Sequence, residues 1–299
     1  MRRFRVAVQS FRRESSKGWR YGASWFCERF YLRYVRRYPL SVSRCSNDDL
    51  SRPLTVVVPA VDKDASVLPL CLRAAREMIR QTVKSVLVVS PESRMIRDIA
   101  AREACVFVHE DEMLPGSAPD LKTRGWILQQ LIKFNAASMV ETEDYLVLDS
   151  DTVFLRPQSF FSRGKTILKF SDQYELNYNL SLEMLLGSPR RFPVSFVTHH
   201  MIFNRSQVSL LLQSVQQRFG RPWHEALVEE LDRRRRVWFS EFEVYGNFLV
   251  RQKAFHRDYS LRYWRGLDSR HSELGGFDDR RTKELARRYD SVSFHWHTQ

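Results

Sequence analysis

Between residues 53 and 154 apolar runs of strand length alternate with stretches of helical period. Leu54-Thr55-Val56-Val57-Val58-Pro59 is an apolar, β-branched run stopped by proline, the pattern of a buried strand. A loop carrying Asp62 and Asp64 follows, and Leu68 to Gln81 has the period of a helix. Ser85-Val86-Leu87-Val88-Val89-Ser90 predicts a second strand, Pro91 to Arg102 a second helix, and Cys105-Val106-Phe107-Val108 a third strand. That strand leads into the acidic loop His109-Glu110-Asp111-Glu112. Strands alternating with helices of this length predict an α/β fold. Its sheet is Rossmann-like and mostly parallel, flanked by helices on right-handed crossovers.

A further helix is predicted across Arg124 to Phe134. Trp126, Gln130 and Lys133 fall on one of its faces at i, i+4, i+7. The same pattern also suits an ordinary amphipathic helix with Trp126 in the core. Next comes Tyr145-Leu146-Val147-Leu148-Asp149-Ser150-Asp151-Thr152-Val153-Phe154, an apolar strand ending in two carboxylates. Read as one strand, it points Asp149 and Asp151 the same way, past its end. Ligands of open α/β sheets bind there, and paired carboxylates suit a hard divalent cation that also holds phosphate oxygens. The plainer alternative is a pair of solvated turn residues.

Later segments add candidates. Phe196 to Phe203 predicts a strand containing His199 and His200. Phe239-Ser240-Glu241-Phe242-Glu243 opens a helix, and Ser240 with Glu243 matches a capping box. Ser291 to His297 alternates, so His295 and His297 share one face. Imidazole there suits Mn2+ better than Mg2+.

Composition separates the first 51 residues from residues 52–299. Arg2, Arg3, Arg5, Arg12 and Arg13 precede Trp19, Trp25, Phe26, Phe30 and Tyr34, which are interleaved with Arg29, Arg33, Arg36 and Arg37. Residues 1–51 therefore read as a basic, aromatic-rich extension that lies on an anionic membrane, packs on the domain, or serves as a targeting peptide. The chain of 299 residues has a net charge of +13, which favours anionic partners. No apolar run reaches the ~18 residues of a membrane span. The four cysteines form no metal-binding spacing. A cytoplasmic location follows as the expectation, peripheral at the inner face of the membrane if residues 1–51 bind lipid.

The Trp-x3-Gln-Gln-x2-Lys helix, the Leu-Asp-Ser-Asp strand, Ser240 to Gly246 and Phe294-His295-Trp296-His297 together resemble the GT-A glycosyltransferases. The likeness is to small bacterial-type members, and it covers roughly residues 53 to 299. The resemblance implies an enzyme that moves a sugar from a nucleotide-sugar donor, most simply a UDP-sugar, to a glycan or glycolipid acceptor. Surface polysaccharide or lipopolysaccharide synthesis would be the setting. It implies Mn2+ or Mg2+ held by Asp151 directly, with Asp149 reaching the ribose or the metal through water. His295 or His297 would complete the metal site. Asp62 would meet the nucleoside, Arg124 or Lys133 would neutralise the donor phosphates, and Gln130 shares the donor-side helix face. His200 and Trp223 are acceptor candidates. Glu241 and Glu243 are the catalytic candidates. Capping gives Glu243 a structural task, which leaves Glu241 as the base of an inverting transfer.

Two other readings compete. Leu148-Asp149-Ser150-Asp151-Thr152-Val153 also fits the nucleophile motif of haloacid-dehalogenase-type phosphatases, with Asp149 attacking phosphate. That motif normally ends the first strand of its domain, and here three strand-like segments precede it. A basic, non-enzymatic nucleic-acid-binding protein is the other. Charge alone supports only non-specific attraction, and no helix-turn-helix, zinc-finger or RNP-like signature is present.

Overall fold

The computed structural model describes residues 45–114, 125–171, 176–190, 195–233, 239–269, 276–277 and 279–294. Its centre is a five-stranded sheet of order β3-β2-β1-β4-β8. The strands are β1 (Leu54–Pro59), β2 (Val83–Ser90), β3 (Val106–His109), β4 (Asp144–Leu148) and β8 (His200–Asn204). The pairs β1–β2, β2–β3 and β1–β4 are parallel; β8 runs antiparallel to β4. This is the α/β class the alternation predicts, with a mostly parallel sheet between helices.

Every residue of β1 and β4 is buried, as expected of strands covered on both faces. Alternate side chains feed two cores. Val57, Tyr145 and Val147 join the core under α5 (Gly125–Met139), α7 (Arg205–Phe219) and α9 (Glu241–Val250). Val56, Val58, Leu146 and Leu148 join the opposite core, against α2 (Leu68–Glu77) and α3 (Arg94–Arg102). At roughly 1.5–3 kcal/mol per buried aliphatic side chain, a one-residue slip of either strand would exchange the two faces and forfeit both.

Two small sheets flank this body. One has the order β10-β11-β5, from β10 (Gly266–Ser269), β11 (Ser291–Phe294) and β5 (Thr152–Phe154). The other has the order β6-β7-β9, from β6 (Phe161–Ser162), β7 (Lys165–Phe170) and β9 (Tyr259–Tyr263). Among the described residues no helix is long and apolar enough to cross a membrane.

The expected single strand across Asp149 and Asp151 is instead two strands in different sheets. β4 ends at Leu148, the chain turns through Asp149, Ser150 and Asp151, and β5 begins at Thr152. Thr152 N–H donates to the Asp149 carbonyl at 2.9 Å and closes the turn. The two aspartates therefore flank a turn rather than sharing a strand face.

Tertiary contacts also reset the ends of other elements. The helix from Leu68 stops at Glu77 because Met78 and Arg80 exchange backbone bonds with Gln158. His109 to Glu112 is no open loop: His109 Nδ1 accepts from Asp111 N–H and caps the short helix α4 (Glu110–Met113). Trp126 lies 37% exposed, whereas Gln130 and Lys133 are buried, the reverse of an ordinary amphipathic arrangement.

The folded body begins before residue 52. Helix α1 (Asn47–Ser51) is capped by Ser46, and the Asp49 carboxylate accepts from the backbone N–H groups of Arg163 and Gly164 at 2.8 and 2.9 Å. Those two residues form the tight turn between β6 and β7, both with positive φ. Residues 45–51 thus belong to the domain. Residues 1–44 lie outside the described residues, so the membrane-surface, packed-helix and targeting readings of the extension concern a part not described.

Candidate functional site

The site forms where β4 ends. Asp149 leaves the strand, and its N–H donates to the carbonyl of His199 at 2.9 Å, prolonging the β4–β8 pairing by one bond. His199 Nδ1 meets Asp149 Oδ2 at 3.2 Å. The Lys133 ammonium, from the middle of α5, lies 2.6 Å from Asp149 Oδ1 and 2.7 Å from Glu241 Oε1. Glu241 opens α9 and is 1% exposed. With its amide nitrogen turned toward the carboxylate, Gln130 also donates to Glu241.

The charges account for one another. Burial penalises the Asp149 carboxylate, but Lys133 and His199 outweigh it and hold its pKa well below the usual range. Burial likewise disfavours the Lys133 cation, yet Asp149 and Glu241 raise its pKa above that of a free lysine. Glu241 is pushed up by burial, and Lys133 offsets only part of that. The ammonium also faces the Phe242 ring, 4.8 Å from its centroid.

The sequence pattern sets His199 beside His200 and points only to His200 as an acceptor contact. The structure separates them. His199 adopts φ 60°, uncommon for a non-glycine residue and characteristic of over-determined sites. Its Nε2 approaches Asp268 Oδ1 at 3.5 Å and its ring stacks obliquely 5.2 Å from Trp264. His200 is 1% exposed and enclosed by Phe154, Phe160 and Trp264, with centroids 4.9, 6.0 and 6.3 Å away. Burial drives its pKa well below the ordinary histidine value. It has no surface to offer an acceptor, which corrects the acceptor expectation: alternation turns this side chain into the core shared with Leu148. Trp223 begins α8 (Trp223–Arg233) half-buried, edge-on to Phe134 at 6.4 Å, and so helps to pack the far side of α5.

Glu243 is tied down by tertiary contacts. Ser240 Oγ accepts from Glu243 N–H at 3.4 Å, which is half of the expected capping box. The carboxylate does not turn back to Ser240. It accepts from Ser195 Oγ at 2.5 Å, from Phe196 N–H at 3.2 Å and from Asn247 Nδ2 at 3.1 Å. Gly246, one turn on, permits this packing: a Cβ there would meet the Phe196 ring at 2.3 Å.

Glu241 as a general base meets a geometric objection. Its carboxylate is enclosed and ion-paired to Lys133, so no substrate hydroxyl reaches it in this conformation. Lys133 is equally enclosed, 2% exposed, and its charge is directed at Asp149 and Glu241 rather than at a ligand.

Asp151 is half-buried beside this cluster. Its carbonyl accepts from Phe294 N–H at 3.0 Å, the last residue of β11. His295 and His297 lie just beyond, outside the described residues, as does Arg124. Among the described residues no group of three or more His, Cys, Asp or Glu is arranged as a metal site. The oxygen donors at the turn nonetheless suit a hard divalent cation: Asp151 is partly open, and Asp149 is ionised and 23% exposed.

A cleft of about 490 Å³ opens at the carboxyl ends of β1, β2 and β3. Pro59, Ala60, Val61 and Pro91 form one wall, Gly125, Leu128, Gln129 and Ile132 of α5 the other. Asp62 stands in the turn after β1 and accepts from Ser93 Oγ at 2.5 Å. Asp64 accepts from Ser150 Oγ at 2.8 Å and so ties that turn to the aspartate turn.

Comparison with known proteins gives a family and loose structural likenesses. No curated protein matches. Glucosyl-3-phosphoglycerate synthase of Mycobacterium tuberculosis, solved with Mn2+, UDP and glucosyl-3-phosphoglycerate, is similar over 71% of this chain and 70% of its own. The TM-score is 0.38 and the identity 11%. The same synthase with Mn2+ and UDP-glucose gives 71% and 69%, TM-score 0.37 and 12% identity. A mycobacterial protein is similar over 70% of this chain and 68% of its own, with TM-score 0.39 and 14% identity. Residues 67–271 match a family described as a family of unknown function (DUF6492). That match takes in α5, the aspartate turn, His199 and Asp268, and more than half of the chain, so this protein belongs to the DUF6492 family.

Proposed function

We propose that this chain is a metal-dependent GT-A glycosyltransferase that moves a sugar from a nucleotide-sugar donor to a glycan or glycolipid acceptor. The observation that carries the reading is the Asp149-Ser150-Asp151 turn. It lies at the carboxyl end of a central strand, is tied through Ser150 and Asp64 to the turn after β1 whose start lines the cleft, and has Asp149 held ionised by Lys133 and His199. Asp151 would hold Mn2+ or Mg2+, with Asp149 reaching the ribose or the metal through water, and His295 or His297 would complete the set. A divalent cation held there supplies charge to the departing diphosphate.

The chain's own residues do the rest. The cleft and Asp62 would take the nucleoside, with UDP the simplest case, and Arg124 would neutralise the donor phosphates. Lys133, Glu241 and Gln130 act from beneath, fixing the Asp149 carboxylate rather than touching the donor. Surface polysaccharide or lipopolysaccharide precursors are the acceptors proposed, at a membrane face contacted through the basic extension. The phosphatase reading is less well supported, because its motif normally ends the first strand of the domain and here β1, β2 and β3 precede the aspartate turn.

The test is a panel of nucleotide sugars with Mn2+, read as slow donor hydrolysis, alongside Asp151→Ala. The variant should fold like the parent, since Asp151 is half-buried at a turn, and should lose metal-dependent donor binding. Unchanged donor binding and turnover in Asp151→Ala would sink the proposed site.

A further inference from the structure

The chain enters β8 through a bend. His199, the residue before the strand, holds a φ of 60°, a conformation that side chains disfavour. Three contacts keep it there. Thr198 Oγ1 donates across the bend to the His200 carbonyl at 2.8 Å. The His199 carbonyl accepts from Asp149 N–H at 2.9 Å, and the imidazole Nδ1 stands 3.2 Å from Asp149 Oδ2. Backbone and side chain of one residue thus meet backbone and side chain of the other.

The far end of the ring is held as well. Nε2 meets Asp268 Oδ1 at 3.5 Å, and the Trp264 indole lies 5.2 Å away between centroids. Trp264 Nε1 donates in turn to Ser291 Oγ at 2.7 Å. The indole passes so close to Gly266 that a Cβ there would meet it at 1.8 Å. His199 is 5% exposed, so it has little surface to offer a donor or an acceptor and can act on them only through Asp149.

The Asp149 carboxylate is shared between two partners. Oδ1 lies 2.6 Å from Lys133 and Oδ2 faces His199. The terminal torsion of aspartate is broad. One contact would leave the carboxylate plane free to turn, and a second on the other oxygen stops it. We infer that His199 is the positioning residue of the aspartate turn: through Nδ1 it sets the plane in which Asp149 meets the ribose or, through water, the metal. This rests on the glycosyltransferase reading.

The experiment uses the full chain, Mn2+ and the nucleoside diphosphate of the best donor in the panel. Affinity is read from the EPR signal of free Mn2+, and stability from urea denaturation. Asparagine tolerates positive φ, and its Nδ2 takes the place of Nδ1 against Asp149 while the contacts with Asp268 and Trp264 are lost. His199→Asn should therefore keep affinity within about threefold of the parent. His199→Gly accepts the bend equally well but brings no donor, and affinity should fall by roughly 10- to 100-fold, the usual effect of losing a partner behind a metal site. His199→Gln keeps the bulk and carries its amide to the place of Nε2, so it should fall with His199→Gly. Parental affinity in either of these two variants, once folded, would overturn the assignment. So would a His199→Asn variant as weak as His199→Gly, or losses of affinity that follow stability rather than the Nδ donor. Each of these leaves the proposed function standing. A parent chain that binds no nucleotide of the panel with Mn2+ would remove the proposed function, and this inference with it.

Discussion

Lys133 and Asp149 are 16 residues apart in the chain and 2.6 Å apart in space. The aspartate that reads as a metal-site residue is thus already neutralised by a cation of the protein, and Glu241 backs that cation from the other side at 2.7 Å. Buried charges of this kind are costly unless each has its partner.

Removal of the lysine should therefore be severe. Lys133→Met leaves Asp149 and Glu241 facing one another without a cation, and about 3–5 kcal/mol of stability should be lost. Adding Glu241→Gln to that variant removes one of the two orphaned charges and should recover part of the loss, a coupling expected of contacting residues. Urea denaturation of the parent, both single variants and the double variant measures it. Strictly additive losses would show that the three groups do not act as a unit.

The two glutamates of α9 should separate by what each supports. In Glu243→Gln the amide oxygen can still accept from Ser195 and Phe196, but the NH2 would then stand against Asn247 Nδ2, and about 1–3 kcal/mol should be lost. The sequence pattern alone predicts the opposite, because glutamine also serves in a capping box. Glu241→Gln should lower turnover and donor affinity together, since it acts through Lys133 on Asp149. A ~100-fold fall in kcat with intact donor affinity would restore Glu241 as the base.

Lys169 gives a pH signature away from the site. Burial lowers its pKa to about 8, opposed only in part by Asp290 and reinforced by Arg262 and Arg265. Its ammonium is 7% exposed, donates to Gln158 Oε1 and lies 5.8 Å from the Phe160 ring centroid. Because the folded value is below that of the unfolded chain, the unfolded state holds the extra proton between about pH 8 and pH ~10.4. Stability should rise across that window, by on the order of 3 kcal/mol from this group, and the full penalty should apply below pH 8. Lys133 works in the other direction. Its pKa is raised, so its contribution is intact below pH ~10.4 and is lost only at higher pH. In Lys169→Met the rise between pH 8 and 10 should disappear. Chemical denaturation at pH 7, 8, 9 and 10 checks this, and a parallel rise in the variant would refute it.

Features that depend on near neighbours are legible in the amino-acid order alone. Apolar runs such as Leu54 to Pro59 and Tyr145 to Leu148, separated by helical periods, specify a mostly parallel α/β sheet. An aspartate pair at the end of one run marks the carboxyl edge where such sheets build sites. Side-chain period and helix capping are local, so they can be read from spacing alone. Tertiary structure decided which charges meet. Lys133 reaches Glu241 across 108 residues, and Glu243 reaches Ser195 across 48. His199 lies between Asp149 and Asp268, on a backbone bend that no pattern in Phe196 to Phe203 foretells. The turn that splits Asp149 from Asp151 likewise exists because β4 and β5 join different sheets. The reason is physical: spacing fixes the face on which a side chain stands, but whether a buried carboxylate is a base, a ligand or a strut depends on the charge that packing brings against it.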